Sequence, residues 1–268
     1  MPADMTALLA DLAAETADFD AMIAPLAADQ YLLPTPAAGW CISDQVSHLA
    51  FFDEAALLAA TDPGLFRADA AQMIAAGPGF TDEVAHRYRP TPGPQLREWL
   101  LRARKELLAG FAAVEPSRRL PWYGPDMSAA SAVTARLMET WAHGQDVADA
   151  LHVTRQPTAR LRHVAHIGVA ALGFSFMLRG RPVPAEPVRV ELTAPDGGRW
   201  TWGPEGAADS VSGPALDFCL VVTQRRHPAD TAVGTAGPVA AEWISIAQAF
   251  AGPPGPGRAP RGAEWSTP

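Results

Sequence analysis

The stretch LMETWAHGQDVADAL, Leu137 to Leu151, decides how the rest of the chain is read. It reads as helix, which places Glu139 and His143 one turn apart on the same face. A carboxylate and an imidazole at i and i+4 can grip one divalent cation, because such side chains are helical neighbours. Two ligands make a poor site, so a third donor has to come from elsewhere. His48 is the best candidate. It lies in GWCISDQVSHLAFFDEAALL, residues 39–58, which reads as a second amphipathic helix with Phe51, Phe52 and Ala55 on the histidine's face and Asp53 and Glu54 further round. Taken singly, each motif also has a plainer reading. An E-x-x-x-H pair is often a solvated face, and a buried histidine is often a hydrogen-bonded core residue.

Composition narrows the classes. The 268 residues are 48% hydrophobic, enough for a sizeable core in one large domain or two ordinary ones. A net charge of −8 argues against general binding to nucleic acid or anionic lipid. Lys105 is the only lysine, so nearly all positive charge is arginine. Cys41 and Cys219 are too few for a disulfide framework and read as reduced packing residues. The acidic start lacks a basic segment followed by an apolar run, and no stretch reaches the ~18 apolar residues of a membrane span. These features lead us to expect a cytoplasmic protein; independently of them, we expect a small-molecule substrate and a monomer or homodimer.

Taken in order, residues 5–28 form an opening helix, and YLLPTPAAG is a connection. Ser43 is placed to cap the second helix, with Asp44 favouring its positive end. Residues 61–95 mix short helical pieces with Pro and Gly breaks and suggest a long irregular connection or lid. LREWLLRARKELLAGFAAV is a third helix whose basic residues read as solvated. Ser128 then caps a fourth helix running through Glu139 and His143; Asp146 reads either as the group that orients His143 or, equally, as an ordinary surface acid. Four helices with a long crossover suggest a bundle, a usual host for metal sites. Residues 160–178 give a further helix carrying His163 and His166. At about Arg179 the pattern changes to alternation: Val188, Val190 and Leu192, a turn at Asp196-Gly197-Gly198, then Trp200 and Trp202, a β-hairpin. Strand-to-helix material and a final amphipathic helix follow. The expected organisation is α+β: a helical bundle over 1–178, a small α+β domain over 179–252, and a disordered tail over 253–268.

This order resembles the mycothiol-dependent maleylpyruvate isomerase family of actinobacteria, whose N-terminal domain is a DinB-like four-helix bundle and whose C-terminal domain is a small α+β module. The resemblance rests on Gly39-Trp40 leading into His48-Leu49, on Glu139-x-x-x-His143, and on Asp146 following, and covers most of residues 5–252. It implies that His48, Glu139 and His143 are the metal ligands. SGPALDFCLVVTQRRHPADT and GPVAAEWISIAQAFAGPPGPGR resemble a particular actinobacterial subgroup of metal-binding members.

The implied chemistry suits the ligand set. Two neutral imidazoles and one carboxylate leave a zinc ion net positive, with a fourth position open. An external thiol there would be deprotonated and could add to an electrophilic carbon, giving isomerisation or S-transfer. The resemblance nominates mycothiol as that thiol. Arg225 and Arg226 are candidate binders of a carboxylate of the substrate or thiol, since a guanidinium pairs bidentately with carboxylates; a solvated pair is the plainer reading. Two other readings remain open: a thiol-independent metal hydrolase using Asp146 or His152 as base, and a non-catalytic ligand-binding or assembly protein.

Overall fold

A computed structural model describes residues 4–77 and 79–261, which form an α+β fold. The chain divides into two compact units, Met1–Arg155 and Gln156–Pro268. In the first, α1 (Met5–Ile23), α2 (Ile42–Thr61), α3 (Pro63–Ala75), α4 (Phe80–Arg87) and α5 (Gly93–Phe111) are followed by the short paired strands β1 (Arg119–Leu120) and β2 (Met127–Ser128) and by α6 (Ala129–Ala150). The bundle is α1, α2, α5 and α6, with α2 packed on α5 and α6, and α1 packed on α6. Its core joins Phe19 and Ile23 of α1, Val46 and Leu49 of α2, Leu96 and Leu100 of α5, and Val147 of α6. Full burial of each large apolar side chain contributes about 1.5–3 kcal/mol.

Local chemistry explains where the helices begin. Ser128 Oγ accepts the Ser131 amide at 3.1 Å and caps α6, as its position suggests. Helix α2 starts differently from the sequence reading. Cys41 is its N-cap, the Asp44 carboxylate accepts the Cys41 amide at 2.8 Å, and Ser43 instead donates to the Tyr31 carbonyl at 3.0 Å. The expected irregular connection over 61–95 is in fact two helices. Pro63 is at the first position of α3, where it costs no hydrogen bond, and Asp62 caps that helix by accepting the Leu65 amide at 3.0 Å.

The bundle's polar centre was also not legible as such. Arg104, read as solvated, is only 2% exposed, and Asp53 is fully buried. Arg104 donates to Asp53 through Nε (2.6 Å) and Nη2 (3.1 Å), and to Thr16 and Thr140. Arg136 Nε donates to the same carboxylate at 2.9 Å. One anion thus holds two guanidinium groups, and the network touches all four bundle helices.

In the second unit, α7 (Leu161–Ala170) and α8 (Leu172–Leu178) replace the single helix expected over 160–178, with a 53° bend between them. They are followed by β3 (Val188–Thr193), β4 (Arg199–Trp202), β5 (Asp209–Pro214), α9 (Ala215–Val222), β6 (Gly234–Ala236) and α10 (Pro238–Ile246). The hairpin is present, with β3 antiparallel to β4 and Val190 opposite Trp202. A parallel β3–β5 pair and an antiparallel β5–β6 pair complete the sheet order β4-β3-β5-β6. The division between units falls after Arg155 rather than at 178, because α7 packs on α9. Gly168 explains how closely: a Cβ there would lie 2.7 Å from Val222. The tail expected over 253–268 is irregular but attached as far as it is described: Arg179 donates to the Gly255 carbonyl at 3.3 Å and the Arg261 amide to Asp230 at 3.0 Å. Residues 262–268 lie outside the described residues. Among the described residues, no single helix is long and apolar enough to cross a membrane.

Removing the central anion is the sharpest test of the packing. Asp53→Ala leaves two buried guanidinium groups without their counter-charge, and breaking a buried ion pair typically costs about 3–5 kcal/mol. Urea unfolding of the first unit should show a lower midpoint at unchanged slope. A loss below about 1 kcal/mol, the range of a surface pair, would contradict this account.

Candidate metal centre

Packing of α2 against α6 brings His48, Glu139 and His143 together, with one donor atom from each lying within 4.8 Å of the other two. His143 Nε2 is 3.1 Å from Glu139 Oε2, and His48 Nε2 is 3.9 Å from the same oxygen. The imidazole rings are 4.4 Å apart between centroids. His143 is buried, while His48 and Glu139 are half-buried. Burial pushes the Glu139 carboxyl up, but the hydrogen bond with His143 and the charges of His143, His48 and Arg136 outweigh it and lower it to about 2. The carboxylate is therefore an anion throughout the neutral range.

A side chain of α2 meets the second ring nitrogen of His143. One sequence reading places Asp146 at that nitrogen. In the structure that nitrogen, Nδ1, meets Gln45 Oε1. Helix α2 approaches this edge of the ring, so a residue from another helix fills the role expected of a neighbour on α6. Asp146 itself is fully buried. The hydrogen-bond directions around Gln45 are determined in turn. Thr35 Oγ1 donates to the Trp40 carbonyl at 3.0 Å, leaving its lone pair to accept Gln45 Nε2 at 2.9 Å. Gln45 Oε1 then faces His143, and Nδ1–H must donate to it.

That assignment has a consequence for the opposite side of the ring. With Nδ1 protonated, neutral His143 presents the Nε2 lone pair to a carboxylate oxygen 3.1 Å away. Two lone-pair donors so close require a positive centre between or beside them, either a proton on Nε2 or a metal cation. Two imidazoles and a carboxylate are a usual donor set for zinc, so these residues fit a metal.

Around the cluster, Trp40 stacks on His143 with ring centroids 5.9 Å apart and an interplanar angle of 21°, and lies 5.4 Å from His48. Its indole N–H donates to Asp82 of α4 at 2.8 Å. Arg89 holds the turn that carries Trp40, donating to the Gly39 carbonyl and to Asp44 at 2.6 Å. Burial raises the Asp44 carboxyl, but the Arg89 hydrogen bond and that from the Cys41 amide hold it below the usual range. Gln45, Thr35 and Arg89 escaped the sequence reading, because polar residues on an amphipathic helix or loop carry no mark of which metal ligand they serve. Arg225 and Arg226 lie in the second unit, just after α9, and both are half-buried. Arg225 donates to the Thr223 carbonyl and Arg226 to the Arg225 carbonyl, each at 2.7 Å.

The Gln45 bond can be tested before any metal is added. Long-range 1H–15N spectra of metal-free protein should show His143 protonated at Nδ1, and Gln45→Leu should remove that preference. In zinc titrations the same variant should bind about 10–100-fold more weakly, the usual effect of losing such a partner. An Nε2–H neutral tautomer, or unchanged zinc affinity, would contradict the assignment.

Residues 12–148 match the family described as mycothiol maleylpyruvate isomerase N-terminal domain, and residues 184–234 match a family described as wyosine base formation. Uncharacterized proteins of two Mycobacterium tuberculosis strains, H37Rv and CDC 1551, are each 49% identical over 258 residues, covering 96% of this chain and 100% of theirs. The crystal structure of the mycothiol-dependent maleylpyruvate isomerase shares the fold, with a TM-score of 0.59 at 16% identity over 87% of this chain and 93% of that one. A mutant of that enzyme matches with a TM-score of 0.58 over the same shares. Because the first match spans half of the sequence, this chain belongs to the mycothiol maleylpyruvate isomerase N-terminal domain family.

Proposed function

We propose that this protein is a cytoplasmic metal-dependent enzyme that uses mycothiol as cosubstrate, for isomerisation or S-transfer on a small electrophile. The observation that carries the reading is the pair of facing donors, His143 Nε2 and Glu139 Oε2, 3.1 Å apart with Gln45 occupying the other ring nitrogen. His48, Glu139 and His143 would hold the cation, most simply zinc. When bound, such an ion supplies Lewis acidity and favours the thiolate form of a thiol in its open position.

The chain's own residues supply the surroundings. Gln45 fixes the ring of His143, and Trp40 covers one side of the cluster as an apolar wall. Neither cysteine is a ready nucleophile. Burial pushes the Cys219 thiol far up, and burial also raises the Cys41 thiol, so an external thiol is the natural donor. The family description and the name of the structurally similar enzyme both mention mycothiol, which supports it as that thiol. Arg225 and Arg226 are proposed to bind a carboxylate of substrate or thiol. Support for Arg226 comes from a cavity of about 320 Å³ in the second unit, where it joins Arg179, His227 and Arg258 and no acidic residue contributes to the wall.

Cobalt-loaded protein titrated with mycothiol tests the reading. The expected result is the intense charge-transfer absorption of a cobalt–thiolate bond, lost in His48→Ala. Arg225→Ala/Arg226→Ala should retain cobalt but bind thiol or substrate about tenfold more weakly, the loss of roughly one charge-assisted bond. An unchanged spectrum with a site still open to small anions would exclude the thiol role and favour a hydrolase. Full affinity in the double variant for both thiol and substrate would remove the arginines from the site.

A further inference from the structure

The first unit also has a cavity of about 470 Å³ between α2, α3, α4 and the segment linking β1 to β2. Its wall is aromatic: Phe51 and Phe80 are half-buried, Phe66 is buried, and Tyr123 stands edge-on to Phe66 with ring centroids 5.3 Å apart. Tyr123 also lies 5.3 Å from the Phe80 ring, so three of the four rings pack on one another rather than standing singly. Met73 closes one side, its sulfur accepting the Tyr123 hydroxyl at 3.5 Å. Polar groups make up the rest of the lining: Glu54 of α2, Asp69 and Gln72 of α3, and Glu83 and Arg87 of α4. Trp99 Nε1 donates to Glu54 at 2.6 Å. Asp69 and Glu83 are exposed and form no ion pair among the described residues.

From this arrangement we infer a second binding site, for an apolar organic molecule bearing an ammonium group. Aromatic faces carry the negative end of a ring quadrupole and attract a cation, most strongly where water is excluded. Three carboxylates against one guanidinium leave the cavity net negative, which disfavours an organic anion of the same size. Tyr123 keeps its proton: burial, reinforced by the Asp69 charge, pushes its hydroxyl up to about 12. Its ring therefore stays a neutral aromatic face at all ordinary pH values.

The cavity is a neighbour of the candidate metal centre without sharing its donors. Phe52 stands between them, its ring 4.6 Å from His48, 5.5 Å from Tyr123 and 6.5 Å from Phe80. The inference goes beyond the thiol reading and does not depend on a metal. Binding should persist after chelation, which keeps the two proposals separable.

The test uses three probes of one size: 2-phenylethylammonium, 2-phenylethanol and phenylacetate. Full-length protein labelled at methionine methyl groups reports locally through Met73, assigned with Met73→Leu, and calorimetry gives affinities. The ammonium should shift the Met73 signal and bind at least about tenfold tighter than the alcohol, with phenylacetate weakest. In Asp69→Asn/Glu83→Gln, whose changes are on the surface, the ammonium should lose about tenfold while the alcohol is unaffected. Phenylacetate binding as tightly as the ammonium, or no Met73 shift with millimolar ammonium, would overturn the inference. So would an unchanged preference in the double variant.

Discussion

The first unit depends on one buried carboxylate. Asp53 of α2 accepts from Arg104 of α5 and Arg136 of α6, and Arg104 also reaches Thr16 of α1. A buried ion pair adds little stability over well-packed apolar residues, because desolvation offsets most of the attraction. Its effect is on arrangement. Two guanidinium groups in the core admit few relative rotations of the helices that carry them, and each must be satisfied by hydrogen bonds. Arg136 lies three residues before Glu139, and Asp53 five after His48, so this pairing sets the phase in which α2 meets α6. The ligand cluster inherits that phase.

A second consequence concerns charge. The bundle centre matches its anion with permanently charged guanidinium groups, whereas the Glu139 carboxylate faces imidazoles, which are cations only when protonated. Gln45 is neutral and occupies Nδ1 of His143, so in the neutral ring the Nε2 lone pair faces the carboxylate. Trp40 stacks on the His143 ring and lies tilted against His48, and Arg89 is spent on Asp44 and the Gly39 carbonyl rather than on Glu139. The fold thus gathers at one place a carboxylate and two imidazoles that a proton or a metal cation can bridge.

Much of this was legible in the sequence, for definable reasons. Helical spacing alone puts Glu139 and His143 on one face, and the apolar neighbours of His48 turn that residue inward. The hairpin reads from alternation and its Asp-Gly-Gly turn. What failed was non-local. Arg104 lies in an amphipathic helix, where pattern reading assigns arginine to solvent; only the partner on α2 reveals that it is buried. Pro63 reads as a break until the cap at Asp62 shows that it begins a helix. The unit boundary moved because the partner of α7 is α9, some fifty residues away and invisible to local periodicity. Gln45 was missed for the same reason as Arg104, since its role is defined by His143, 98 residues further on.

Zinc K-edge X-ray absorption on the loaded protein, with and without mycothiol, tests the central claim most directly. The account predicts a light-atom shell at about 2.0–2.2 Å that includes imidazole scattering, and one sulfur at about 2.3 Å once mycothiol is added. A shell without imidazole scattering, or one that gains no sulfur at saturating mycothiol, would contradict it.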